Sequence, residues 1–262
     1  MADEKLTQLT AATTLSVGDI LYAVRDPLTV PISRKITLNN LLIAINSLYV
    51  GWVPVTDAWA YASATTITVP SGAASLYNKG DKVRFKQGAG YKYYYIITVA
   101  DTLLTVTGGS DYTVANAAIT DVYYSKIENP LDFPPYFNYA PVLAQGASTN
   151  IAKTTSLAIF TVKGGFLEGM VRLDATAAGT AGSIITVSAP LTATNTSSDI
   201  VGVGSYYKIT GQYAGSIFLL STTTFYLEAG ADTTPGGAVG VAPALTVALG
   251  DAFQLSFRYR LA

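Results

Sequence analysis

Few side chains in this 262-residue sequence could do chemistry, and their types narrow the possibilities quickly. The sequence holds no histidine and no cysteine. A Ser-His-Asp or Cys-His nucleophile therefore cannot form, since both need an imidazole that titrates near neutral pH. Zinc, copper and haem sites built on imidazole or thiolate go with it, and so do disulfides. Carboxylates, lysine, tyrosine and oxygen-ligated metals remain. Glycoside hydrolysis by two carboxylates needs no imidazole, and the nearest pairs are Glu128 with Asp132 and Glu228 with Asp232. The first pair flanks Pro130 in an extended segment; the second flanks Gly230 at a strand exit. Neither spacing sets the separation that this chemistry requires, and solvated surface charge is the commoner role. No catalytic residue, cofactor or metal ligand is assigned, and the chain reads as a non-enzymatic protein that binds or builds.

A second constellation joins cations to rings. Lys82, Arg84, Lys86 and Lys92 lie beside Tyr91, Tyr93, Tyr94 and Tyr95. Cations could track phosphates while rings stack on bases. The alternative is a solvent-facing sheet side whose charges discourage edge association. Positive and negative side chains nearly balance, for a net charge of -1, so no bulk attraction to nucleic acid follows and none is expected as a partner. Gly88-x-Gly90 and Gly108-Gly109 lack the Gly-Lys-Ser/Thr and the helix start of a phosphate cradle, and read as turns. Trp52, Trp59 and the many tyrosines could stack on sugar rings, but their strand positions favour core or interface.

The elements that must position these residues fall into three regions. In residues 1–50, Asp19 to Val24 and Thr29 to Lys35 read as extended pieces. Thr37 then offers an N-cap hydroxyl to a helix carrying Leu38, Leu41, Leu42, Ile45, Leu48 and Tyr49 on one stripe. That helix is short enough to need a partner: its own domain, or the same helix of other copies in an elongated oligomer. Residues 51–139 read as a small antiparallel β-module closed by an extended Pro-rich linker. Its strands include Thr65–Val69, Lys82–Lys86, Tyr91–Val99 and Leu103–Thr107, and Pro130, Pro134 and Pro135 mark the linker. Residues 140–262 read as a C-terminal jelly-roll-like β-sandwich. Its strands are Leu157–Lys163, Phe166–Leu173, Ser183–Ser188, Tyr206–Tyr213, Ser216–Leu220, Thr224–Glu228 and Ala252–Leu261, with loops at Ala175–Gly182 and Gly230–Gly240. The fold class is mainly β. Charged residues make up 13% of the chain, about half the usual share, which suits a surface shared with other subunits. The acidic start lacks the apolar core of a signal peptide, and the longest apolar stretch, Leu41 to Val50, is too short to span a bilayer. A soluble product of the cytoplasm without membrane insertion is expected.

Three patches resemble bacteriophage virion proteins of the tail-fibre and receptor-binding type. Leu6 to Leu15, Gly18 to Val24 and Lys35 to Leu42 look like a recurrent N-terminal segment of phage structural proteins. Trp59 to Pro70, Asn78 to Val83 and Gly109 to Ile119, ending in Tyr124-Ser125-Lys126 and Phe133 to Tyr139, are similar to a module of phage tail proteins. Gly179 to Val187 resembles the sandwich that often follows it. The resemblance implies a homotrimer, assembled in the host cytoplasm and placed on the virion. Residues 1–50 would meet other virion proteins, and the C-terminal domain would meet a host-surface glycan or protein. A capsid head fibre or decoration protein is the alternative, and a carboxylate-based glycan depolymerase a third. No receptor-binding residue carries over.

Overall fold

The computed structural model describes residues 20–25, 32–37, 41, 45, 50–194, 199–231 and 234–262. They belong to two units, 1–53 and 54–262. In the first, β1 (Ile20–Arg25) and β2 (Ile32–Thr37) pair antiparallel, with Ile20 opposite Thr37 and Arg25 opposite Ile32.

The second unit is mainly β. Its smaller sheet has seven antiparallel strands: β3 (Val53–Pro54), β4 (Ala60–Ser63), β5 (Thr66–Thr68), β6 (Lys82–Gln87), β7 (Gly90–Ala100), β8 (Leu103–Thr107) and β9 (Thr120–Ser125). They lie in the order β3-β9-β6-β7-β8-β5-β4, with one short helix, α1 (Ala73–Leu76), beside them. Period-2 alternation explains its core. Val83 and Phe85 of β6 are fully buried, and Phe85 stacks on Tyr94 of β7 at 5.0 Å and 13°. Ile67, Ile96 and Leu104 complete that side. Gly88 makes the β6–β7 turn with φ 75°, a conformation that side chains disfavour.

The larger sheet has ten strands: β10 (Phe137–Asn138), β11 (Leu143–Gln145), β12 (Lys153–Lys163), β13 (Phe166–Ala175), β14 (Ile185–Ser188), β15 (Ile200–Lys208), β16 (Gly211–Ser221), β17 (Thr224–Ala231), β18 (Thr234–Ala238) and β19 (Ala252–Arg260). Nine follow the path β10-β12-β13-β19-β15-β16-β17-β14-β11, and β18 pairs with β17. The ends of that path are consecutive in sequence. Laid flat, nine strands at about 4.8 Å spacing would separate their edges by about 38 Å. The five residue steps from Asn138 to Leu143 reach at most about 18 Å. The sheet must therefore curl, and it forms a half-barrel. Backbone bonds continue onto the tie: the Tyr139 N–H donates to Ala158 O beside β10, and Ser188 N–H to Val142 O beside β11. Phe160, Leu167, Val171, Ile217, Phe225 and Leu255 fill the inside. Gln145, fully buried, pins one end, donating to Ser183 O (3.0 Å) and Leu245 O (2.7 Å) while accepting from Val247 N–H (2.9 Å). The jelly-roll-like sandwich expected for 140–262 is thus seen as its coarser feature, an antiparallel sheet wrapped round a core.

Two expected elements differ. Tyr206–Tyr213 is not one strand but a hairpin with Tyr206 opposite Tyr213, and Ile209 at its tip is fully exposed (101%). The β-branched and aromatic run conceals the turn, because no glycine or proline punctuates it before Gly211. Part of the loop expected at 230–240 is β18, whose low intrinsic preference is overridden by pairing with β17.

The two sheets meet at a seam of rings. Phe137, fully buried, lies edge-on to Tyr95 (5.4 Å), Tyr112 (6.0 Å) and Phe133 (5.6 Å), and 6.2 Å from Phe160. The Tyr95 hydroxyl bonds the Thr161 hydroxyl across the seam at 3.0 Å. Asp111 accepts from both the backbone N–H and the side-chain amide of Asn138, each at 2.8 Å. At Gly109 (φ 61°), a Cβ would stand 2.1 Å from Asn138 O, so only glycine allows this approach. Phe137→Ala is expected to cost about 3–5 kcal/mol. Urea unfolding followed by tryptophan fluorescence and by far-ultraviolet dichroism should give coincident single transitions, because one seam serves both sheets.

Candidate functional site

Strands β12, β13, β19, β15 and β16 run side by side, and alternation sends every second residue outward. One outward row reads Ile159, Met170, Ser256, Val203 and Ser216, each in register with the next. It carries no charge. With Pro135 and Tyr136 as a wall, this face forms an open groove of about 540 Å³, within the span of roughly 300–1,000 Å³ common for binding clefts. Met170 is 41% exposed, and Val203 and Ile200 are each 66% exposed. The charged residues lining the groove, Glu168 and Arg258, pair at 3.2 Å. Lys163 reaches Glu168 at 3.7 Å and Glu128 at 3.4 Å, completing a rim with two charges of each sign. Such a surface offers apolar contact. The carboxylate that lines it, Glu168, is held between Lys163 and Arg258.

Inside the half-barrel, Asp251 is buried and its Oδ2 accepts from the Tyr206 hydroxyl (2.5 Å), the Lys208 ammonium (2.7 Å) and the Ala248 N–H (2.8 Å). Lys208 also donates to Thr246 O (2.8 Å) and the Tyr206 oxygen (3.1 Å). The ammonium's three N–H bonds thus meet three oxygens, which uses its full donor capacity inside the protein. Phe253 stacks on Tyr206 at 4.4 Å. Burial, and then the Asp251 carboxylate, hold the Tyr206 phenol well above the ordinary phenol range. This cluster fastens the 245–251 loop to β15.

No protein family, curated protein or solved structure matches this chain.

Residues with expected roles are scattered. Leu41 and Ile45 are helical, four apart and so on one face, with Ile45 51% exposed. Leu38, Leu42, Leu48 and Tyr49 lie outside the described residues. Glu128 is exposed and held by Lys163, Asp132 is exposed with φ 66°, and the Glu228 carboxylate accepts from the Tyr226 hydroxyl at 3.1 Å. Asp232 lies outside the described residues. Among the described residues, no group of three or more carboxylates is placed to hold a metal ion.

The cation and tyrosine constellation is engaged within the protein. Lys82 is buried, donates to Ile127 O, and stands over the Tyr95 and Phe133 rings. Arg84 is sandwiched between Tyr91 (4.8 Å) and Tyr123 (4.7 Å). Lys86 pairs with Asp121 at 2.6 Å, and Lys92 donates to Thr113 O at 2.7 Å. Tyr94 points the other way, into the core beside Phe85. The expected solvent-facing cation side is therefore covered in part: Phe133 lies against Lys82 and Tyr123 against Arg84, while the Lys86 side chain stays 37% exposed. The apolar groove was missed by sequence reading. Its only local signal was the outward apolar residues Met170 and Val203 within otherwise alternating strands.

Asp251→Leu should cost about 3–5 kcal/mol by stranding Lys208, whereas Lys208→Met with Asp251→Leu should cost clearly less, as read in urea unfolding. Burial raises the Tyr77 phenol to about 12, and it raises those of Tyr94, Tyr139 and Tyr259 as well. A raised folded value gives stability that is complete below the unfolded value of 10.0 and lost as pH climbs through about 12. Alkaline titration of the phenolate ultraviolet band should accordingly show a late step coinciding with loss of dichroism.

Proposed function

We propose that this chain is a non-enzymatic structural protein of a phage virion, of the tail-fibre or receptor-binding type and assembled as a homotrimer. Residues 1–50 attach it to other virion proteins. The curled C-terminal sheet, read as a jelly-roll-like tip, faces a host-surface glycan or protein. The observation that carries this reading is the uncharged, half-exposed outer row of the large sheet, in a chain with only 13% charged residues. Such a surface is suited to cover by protein. The pairing of β1 with β2 adds support, since two strands by themselves are marginal in water and gain from further contacts. Three linked tips would bind a surface by avidity without strong single contacts.

Gold-labelled antibodies against the full chain, applied to intact particles, test this. Label on the tail or its appendages is expected. Label on the capsid would move the reading to a head fibre or decoration protein. Particles bearing neither label nor the chain in their mass spectrum would overturn it. Release of reducing ends from host polysaccharide by the purified chain would overturn its non-enzymatic part.

A further inference from the structure

We infer that the groove on the outer face of the large sheet is where copies of this chain meet, with Ile200 and Val203 of one copy seated against Met170 and Ser256 of another. The inference rests on the reading of the chain as an assembling protein and names the surface that does it. Three features of the face point to a second copy as occupant.

Charge is the first. Copies that turn the same face towards a shared threefold axis bring like groups close, and like charges there are strongly unfavourable. On this face the central row is uncharged. Along one edge the rim charges pair in place, through Glu128–Lys163, Lys163–Glu168 and Glu168–Arg258, and Arg172 stands at the other edge, two residues from Met170. Two such faces can approach along their uncharged rows. A partner of strong charge, such as nucleic acid or an anionic surface, would gain nothing from this rim.

Shape is the second. Knob and hole sit on the same face: Ile200 and Val203 stand proud at 66% exposure, and in register beside Val203 lies Ser256, a small side chain on the groove floor. Any copy presents what another copy needs. Anatomy is the third, since an apolar centre within a polar, salt-bridged rim is the arrangement of protein interfaces.

The test uses the full chain with Met170→Lys and Val203→Lys together. Both side chains are exposed, so the fold should survive, as judged by dichroism and the urea midpoint. In sedimentation the wild type is expected to run as an oligomer, and the double variant to weaken self-association about a hundredfold or more. A folded double variant with wild-type mass would overturn this surface while leaving the virion proposal standing. A monomeric wild type would overturn the assembly on which both rest.

A second variant covers the case in which the lysines disturb folding. The sequence holds no cysteine, so Val203→Cys carries a single thiol. Protection of that thiol from maleimide in the oligomer, with cross-linking between chains by a short bismaleimide, is expected. Labelling at the rate of a freely exposed thiol in the assembled protein would overturn the inference.

Discussion

The tie between Asn138 and Leu143 is the constraint on which the large sheet depends. It joins strands at opposite ends of a nine-strand path, and a chain of that length cannot cross a flat sheet. Curling brings the edges within reach, and in doing so it turns one face of every strand towards a common centre. Phe160, Leu173, Ile217, Phe225 and Leu255, from five different strands, share one core for that reason. The convex face left outside is the one that carries the groove.

Phe137 sits at the root of that tie and joins the two sheets. Its ring touches Tyr95 and Tyr112 from the smaller sheet's chain segment and Phe160 from the larger. Rings meeting edge to face add directional attraction to the burial of large apolar area. The scarce charges are spent nearby in the same inward manner. Lys82 lies buried beneath Tyr95 and Phe133, Arg84 lies between two tyrosine rings, and Asp251 holds Lys208 inside the barrel. A chain with few charges that uses several of them internally leaves long stretches of outer sheet uncharged.

That distribution leaves the buried charges satisfied from within. Asp251 and Lys208 satisfy one another, together with Tyr206 and the loop backbone. The groove's carboxylate, Glu168, is likewise held by Arg258 and Lys163. The feature with most to gain from another molecule is the apolar outer row.

Much of the strand content was legible in the sequence. The alternation of Lys82 to Lys86 names Val83 and Phe85 as core residues, and Leu103–Thr107 has the bounds expected of it. The absence of imidazole and thiol removed whole classes of chemistry without any structure. Period-2 alternation says which residues share a face, because it follows from local backbone geometry. It does not say which strand lies alongside, or what covers the face. The side of β6 that looked solvent-facing is partly covered by Tyr123 and Phe133, which arrive from tens of residues away. The hairpin at Ile209 hid in a run of strand-forming residues. Ile159, Met170, Val203 and Ser256 become one row only when four strands, spread over some hundred residues of sequence, pair in register. Sequence by itself determined the β character, the inward-facing residues and the excluded chemistries. Tertiary structure alone decided the curl, the burial of the cations and the groove, because pairing and register are long-range choices that local patterning leaves open.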